Sequence, residues 1–124
     1  MPRPHLRLPL PGFGVLAVAA LAVAVAGCGS SASAPTLSVA STCQAVSAVL
    51  SDGPDPRADP VGYAEAQVLP LRQIQTSDTR LRRAVDDLAS AYDRLYTSRG
   101  AKRAEQAVSQ AGNAVDAICP GATS

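Results

Sequence analysis

Tryptophan is absent from this chain, and histidine and phenylalanine occur once each, as His5 and Phe13 close to the N-terminus. Everything beyond residue 13 therefore lacks the side chain that titrates most readily near neutral pH and that most often ligates metals, which removes His-dependent catalysis and His-bearing zinc sites. Few aromatic rings also limit the area that a core can bury, and 124 residues hold at most one domain. Charge of one sign is lacking too: 11 Lys and Arg stand against 10 Asp and Glu, a formal net charge of +1. Such a balance creates no field that draws a protein to nucleic acid, and no nucleic-acid partner is expected. The longest apolar run, Gly12 to Ala26, falls short of the roughly 20 residues that a membrane-spanning helix needs.

That run has a different use. Residues 1–11 carry Arg3 and Arg7 and no acidic group, the apolar stretch follows at once, and Val25-Ala26-Gly27-Cys28 closes it. A basic n-region, an apolar h-region and a small-residue cleavage site are the three parts of an export signal. The closing tetrapeptide resembles the lipobox of bacterial lipoproteins: an aliphatic residue, two small residues and a cysteine. Val25 stands where Leu is commoner in that family. The resemblance covers residues 1–28 and implies a diacylglycerol on the sulfur of Cys28, cleavage just before it, and acylation of the new amino group. Each buried methylene adds about 0.8 kcal/mol, so two or three chains make the anchor effectively permanent. The expected location is the extracytoplasmic face of the cell membrane, with the membrane as a partner through the lipid. A retained signal helix and an ordinary secretory signal that happens to contain a cysteine are the alternatives.

Removing residues 1–27 takes Arg3 and Arg7 away and leaves nine basic against ten acidic residues. Cys28 and the Ser-, Ala- and Gly-rich stretch Gly29 to Ser38 form a tether with a mean span of about 17 Å, too polar and too small in its side chains to build a core. With Cys28 assigned to lipid, Cys43 and Cys119 remain in a compartment that permits disulfides. They read as one structural bond closing a long loop, worth about 4 kcal/mol in the chain-entropy model. A redox pair is the other reading, but it has neither the C-x-x-C spacing nor a neighbouring His or Lys to lower a thiol pKa.

Periodicity assigns four helices to residues 39–120, with 121–124 as a tail. Val39, Cys43, Val46 and Leu50 recur at helical spacing over about 38–51, and Asp52-Gly53-Pro54-Asp55-Pro56 stops that run. Asp59-Pro60 supplies an N-cap and an N1 proline for a second helix, whose stripe of Val61, Ala64, Val68, Leu71 and Ile74 passes through Pro70, a kink-forming residue. Thr76-Ser77-Asp78 breaks the pattern and caps a third helix over about 78–98, with Leu81, Val85, Leu88, Tyr92 and Leu95 as its core face. Asp78-Arg82, Arg82-Asp86 and Arg83-Asp87 are spaced for pairing on the opposite face. Gly100 reads as the C′ residue, and a fourth helix over about 101–118 presents Ala101, Ala104, Val108, Ala111, Val115 and Ile118. Short connections favour an antiparallel up-down-up-down bundle, an all-α fold that brings Cys43 and Cys119 to one end and so joins the first and last helices. In these respects the mature part resembles the small helical lipoproteins of actinobacteria with two cysteines near the domain ends, a likeness that carries over no functional residue. Lys102 is the sole lysine among the 11 basic residues, an arginine bias that fits a GC-rich genome of that type.

Chemistry is sparse. No nucleophile with a base beside it, no metal-ligand spacing and no cofactor motif is present, so neither an enzyme nor a bound cofactor is expected. Asp86 and Asp87 project about 100° apart on a helix and do not make a carboxylate pair. Arg94, Arg99, Lys102 and Arg103 gather around the third turn of the bundle, and Lys102 and Arg103 oppose the dipole at a helix start. They form a candidate patch for a protein or an envelope component, or simply a solubilising turn. Tyr63, Tyr92 and Tyr96 are candidates for a pocket between the helices, which would suit a small-ligand carrier, or core tyrosines with their hydroxyls at the rim. The leading expectation is a non-catalytic interaction module.

Overall fold

Four helices follow the capping signals closely: α1 (Val39–Leu50), α2 (Pro60–Gln73), α3 (Thr79–Thr97) and α4 (Lys102–Asp116). They were obtained from a computed structural model that describes residues 36–124. The export signal, Cys28 and the tether as far as residue 35 lie outside the described residues. The helices pack in chain order, α1 on α2, α2 on α3 and α3 on α4, and a Cys43–Cys119 disulfide with a Cα–Cα distance of 5.3 Å returns the end of the chain to α1. The all-helical antiparallel bundle with its bond between the two ends is thus the architecture expected from periodicity and cysteine position. Cys119 itself sits just past α4, where its N–H still donates to Val115 O at 2.8 Å. No helix among the described residues is long and apolar enough to cross a membrane.

Each of the first three helices starts on a side-chain oxygen that satisfies one orphan N–H of the first turn. Ser38 accepts from Ser41 N at 3.2 Å, Asp59 from Gly62 N at 2.8 Å and Asp78 from Leu81 N at 2.7 Å. Asp78 is therefore occupied as a cap, and none of the three expected i,i+4 pairs on α3 forms. The ion pair found among the described residues is Arg72–Asp93, 3.7 Å apart and linking α2 to α3. Both side chains are about half exposed, and a pair of that kind is worth at most about 1 kcal/mol.

The core is centred on α3, which is sandwiched between α2 and α4. All five of its expected core residues are buried, and Ala84, Ala89 and Ala91 join them because a helix packed on two sides needs a wider apolar face. In α1 the buried stripe is shifted from the expected one. Val46 is fully buried, but Val39 is 40% exposed and Thr42 takes an interior place. Its hydroxyl donates to Ser38 O at 2.8 Å, so the polar atom is satisfied within the helix and the methyl group is left to pack. In α2 the buried residues are Ala64, Val68 and Leu71 together with Tyr63 and Gln67, while Val61 and Ile74 are only half-buried. The helix runs past Pro70 to Gln73. In α4, Ala104 and Val115 are buried; Val108, Ala111 and Ile118 are half-buried, and Ala101 is exposed.

Two side chains of α2 hold the end of α1. Tyr63 Oη donates to Leu50 O at 2.6 Å, and Gln67 Nε2 donates to Asp52 O at 2.8 Å. The first satisfies a carbonyl that the C-terminus of a helix leaves unpaired, and the second a carbonyl of the turn that follows. At the other end of α1, Leu37 N donates to Gln75 O at 3.1 Å, pairing the incoming strand of chain with the α2–α3 connection. Leu37 and Ser38, taken with the tether on composition, thus belong structurally to the domain. Residues 121–124 also fold back: Ala122 is buried, and Thr123 N donates to Asp116 Oδ1 at 3.0 Å.

The α3–α4 turn departs from expectation by one residue. Arg99 N donates to Tyr96 O and Gly100 N to Leu95 O, both at 3.0 Å, the two bonds of a Schellman motif. In that motif the C′ residue is Arg99, which takes the left-handed conformation with φ 54°, and Gly100 at φ 83° is C″. A side chain in that region costs roughly 1 kcal/mol that glycine does not incur.

Arg99→Gly is therefore expected to stabilise the fold by roughly 1 kcal/mol, a rise of about 5 °C in Tm. An unchanged or lower Tm would contradict it. Replacing Cys43 and Cys119 together by Ala is expected to lower stability by about 4 kcal/mol in urea unfolding at fixed m-value. A loss under about 1 kcal/mol would mean that non-covalent packing already holds α1 in place.

Candidate functional site

The cationic residues at the α3–α4 turn come to their positions for separate local reasons. Arg94 lies in the last turn of α3, where a positive charge meets the negative end of the helix dipole. Arg99 occupies the left-handed C′ position, and Lys102 and Arg103 open α4, whose N-cap is Ala101 with no side-chain hydrogen bond to offer. All four are exposed. The fold does not gather them equally. Arg94 and Arg103 both line a groove of about 340 Å³ whose walls include Thr97, Ala101 and Ala104, whereas Arg99 and Lys102 lie outside it. Glu105 in the first turn of α4 offsets part of this charge against the dipole.

The three tyrosines do not share a pocket. Tyr63 and Tyr92 pack edge to face, with ring centroids 5.7 Å apart and planes at 76°, a geometry that places the positive rim of one ring on the face of the other. Tyr96 is 39% exposed and takes no part. Burial pushes the Tyr92 phenol well above its ordinary value and raises that of Tyr63 as well. Both remain neutral across the physiological range.

Acidic groups are spent on the backbone. Asp52 accepts from Gly53 N at 2.9 Å, Asp55 from Arg57 N at 2.8 Å and Asp59 from the first turn of α2, as turn-forming aspartates do. Asp86 and Asp87 are exposed on α3. Among the described residues no three His, Cys, Asp or Glu side chains come together as metal ligands.

Several concavities were not foreseen in the sequence, and one of them is lined mainly by polar side chains. Between α3 and α4 lies a cleft of about 330 Å³ with Leu88 and Tyr92 on its inner side and Ser109, Asn113, Asp116 and Thr123 around its mouth. Ser109, Asn113 and Asp116 are separated by four and three residues, so they form a polar row along one face of α4. Periodicity exposes that row only if polar residues are scanned for spacing as apolar ones are. The returning tail that supplies Thr123 was not legible at all, because it depends on the disulfide and on Gly121 at φ 78°. Asp116 accepts from both the N–H and the hydroxyl of Thr123 and so fastens the tail at the edge of the cleft.

Gly112 lies in the same cleft, buried in the middle of α4. A Cβ there would make ordinary contacts, 3.6 Å from Thr123 Oγ1 and 3.9 Å from Thr123 Cβ, so packing does not demand a glycine. Its backbone is not left-handed either. A glycine inside a helix costs about 0.5–1 kcal/mol relative to alanine. The position thus carries a stability cost that packing does not explain.

No protein-family model, curated protein or solved structure matches the chain.

Above pH 10 the unfolded chain gives up its tyrosine protons near the ordinary value of 10.0, while folded Tyr92 keeps its own. The unfolded state then binds fewer protons, so stability, fully present below pH 10, falls as pH rises. Tyr92→Phe is expected to flatten this alkaline decline in urea midpoint measured from pH 9 to 11.5, and a slope identical to that of the parent chain would refute the assignment.

Proposed function

We propose that the protein is a lipoprotein anchored through Cys28 to the extracytoplasmic face of a bacterial cell membrane. On this reading its helical bundle is a non-catalytic interaction module that meets an acidic protein or an anionic envelope component. The observation that carries the proposal is the placement of the cationic turn. The chain enters the bundle at Leu37, beside the α2–α3 connection, and Arg94, Arg99, Lys102 and Arg103 lie at the far end of α3. A helix of 19 residues spans about 28 Å at 1.5 Å per residue. An anchor joined to the bundle at Leu37 meets it at the end opposite the cationic turn, which is thereby left free to face a partner. The groove between Arg94 and Arg103, with alanine methyl groups along it, suits an anionic group carried on an apolar stem.

A small-ligand carrier is the second reading, and the cleft beside Tyr92 favours it. It differs from the first in the site used and in its insensitivity to salt.

The anchor is tested by metabolic labelling with an alkyne palmitate analogue, which should mark the parent chain and leave Cys28→Ser unlabelled and unprocessed; label retained on the variant would sink the lipobox reading. The patch is tested by binding of the purified protein to isolated envelope fragments. Reversing Arg94, Arg99, Lys102 and Arg103 to Glu should weaken binding at least tenfold at low salt and remove its salt dependence. Equal binding by parent and variant would dispose of the cationic patch while leaving the anchor untouched.

A further inference from the structure

We infer that the cleft between α3 and α4 is a binding site for a neutral, hydroxyl-rich ring, a single sugar unit in chemical class. The inference deepens the small-ligand reading of this cleft and relies on the proposed anchor only for where the ligand would be met. Four features of the cleft converge. Its volume of about 330 Å³ lies at the small end of the range for ligand pockets, enough for one ring and too little for a chain. Its accessible lining is mainly polar, from Ser109, Asn113, Asp116 and Thr123, which argues against an apolar guest. No Lys or Arg lines it and a carboxylate does, which argues against an anion. That carboxylate is alone and already accepts from Thr123 twice, too few free ligands for a metal ion.

What remains is a guest that both donates and accepts hydrogen bonds without net charge. Adjacent hydroxyls of a sugar do so: a planar amide such as that of Asn113 offers a donor and an acceptor side by side, Asp116 keeps lone pairs beyond those used by Thr123, and Ser109 contributes one hydroxyl. Leu88 and Tyr92, both buried, form the inner side and leave only a narrow apolar floor for the C–H groups of a sugar. Gly112 is the independent observation. Alanine would fit there and would make the helix more stable, yet the position is glycine, and a Cβ would stand 3.6 Å from Thr123 Oγ1, narrowing the cleft that both residues line.

Gly112 and Asn113 separate this reading from a merely structural one. The mature lipidated protein in detergent micelles is titrated with methyl glycosides of glucose, mannose and N-acetylglucosamine and read by saturation-transfer NMR. At least one glycoside should give saturation transfer with a Kd of about 1 mM. Gly112→Ala should raise Tm and weaken binding at least threefold, a combination that a packing role for the glycine does not produce. Asn113→Ala, at an exposed helical position where alanine is the better helix former, should keep or slightly raise Tm and weaken binding roughly tenfold. No transfer from any of the three glycosides at about 10 mM would overturn the inference, as would transfer that persists undiminished in both variants. Palmitate labelling of Cys28 is indifferent to either result, so the anchor and the cleft can fail separately.

Discussion

The Cys43–Cys119 bond closes the bundle where packing is thinnest. Helix α1 buries only Thr42 and Val46, against eight residues of α3, and its main helical neighbour is α2. Two hydrogen bonds from Tyr63 and Gln67 hold its C-terminal end, and net contributions near 1 kcal/mol each are typical of such bonds. A cross-link spanning 76 residues removes more unfolded-state entropy than those bonds supply, and it acts on the one helix that the hydrophobic core holds least. The same bond fixes Cys119, and with it the returning tail whose Thr123 borders the α3–α4 cleft. Fold closure and the candidate ligand site therefore share a single constraint.

Alanine shapes the rest. With so few aromatic rings, the interior is filled by Leu, Val and Ala, and Ala84, Ala89, Ala91 and Ala104 are all buried. Small side chains let α3 approach its neighbours closely, but each contributes little apolar area at about 25 cal/mol per Å². The Tyr63–Tyr92 pair sits where α2 meets α3 while also holding the end of α1 through the Tyr63 hydroxyl. Burial keeps both phenols neutral, so they serve as rigid packing groups and not as charged ligands.

The two ends of the bundle differ in chemistry for reasons that begin with helix termini. At the α2–α3 end, aspartate, serine and threonine oxygens satisfy the backbone, and the chain from the proposed anchor is paired to Gln75. At the α3–α4 end, Arg99 sits in a left-handed conformation and Ala101 opens a helix without a side-chain cap. Cations and a weak cap placed together cost local stability that Gly at residue 99 and Ser at residue 101 would recover. A surface that forgoes stability in this way is a reasonable place to seek a partner, as is a cleft that keeps a glycine inside a helix.

Helix number, boundaries and the pairing of the cysteines followed from the sequence, because caps such as Asp59-Pro60 and Asp78 act within one turn and the apolar period of α3 is strict. The export signal was likewise legible as a linear pattern of charge, apolarity and small residues, and its reading stands as a proposal. Tertiary structure alone decided which face of α1 is buried, since the bond from the Thr42 hydroxyl to Ser38 O is available in any such helix and only packing against α2 turns that side inward. It alone paired Arg72 with Asp93 across two helices in place of neighbours along one. It alone made a cleft from the polar row of α4, the inner side of α3 and a tail brought back by the disulfide. Local signals are written within a few residues of one another; a concave site is assembled from elements far apart in the chain, and its shape exists only after they pack.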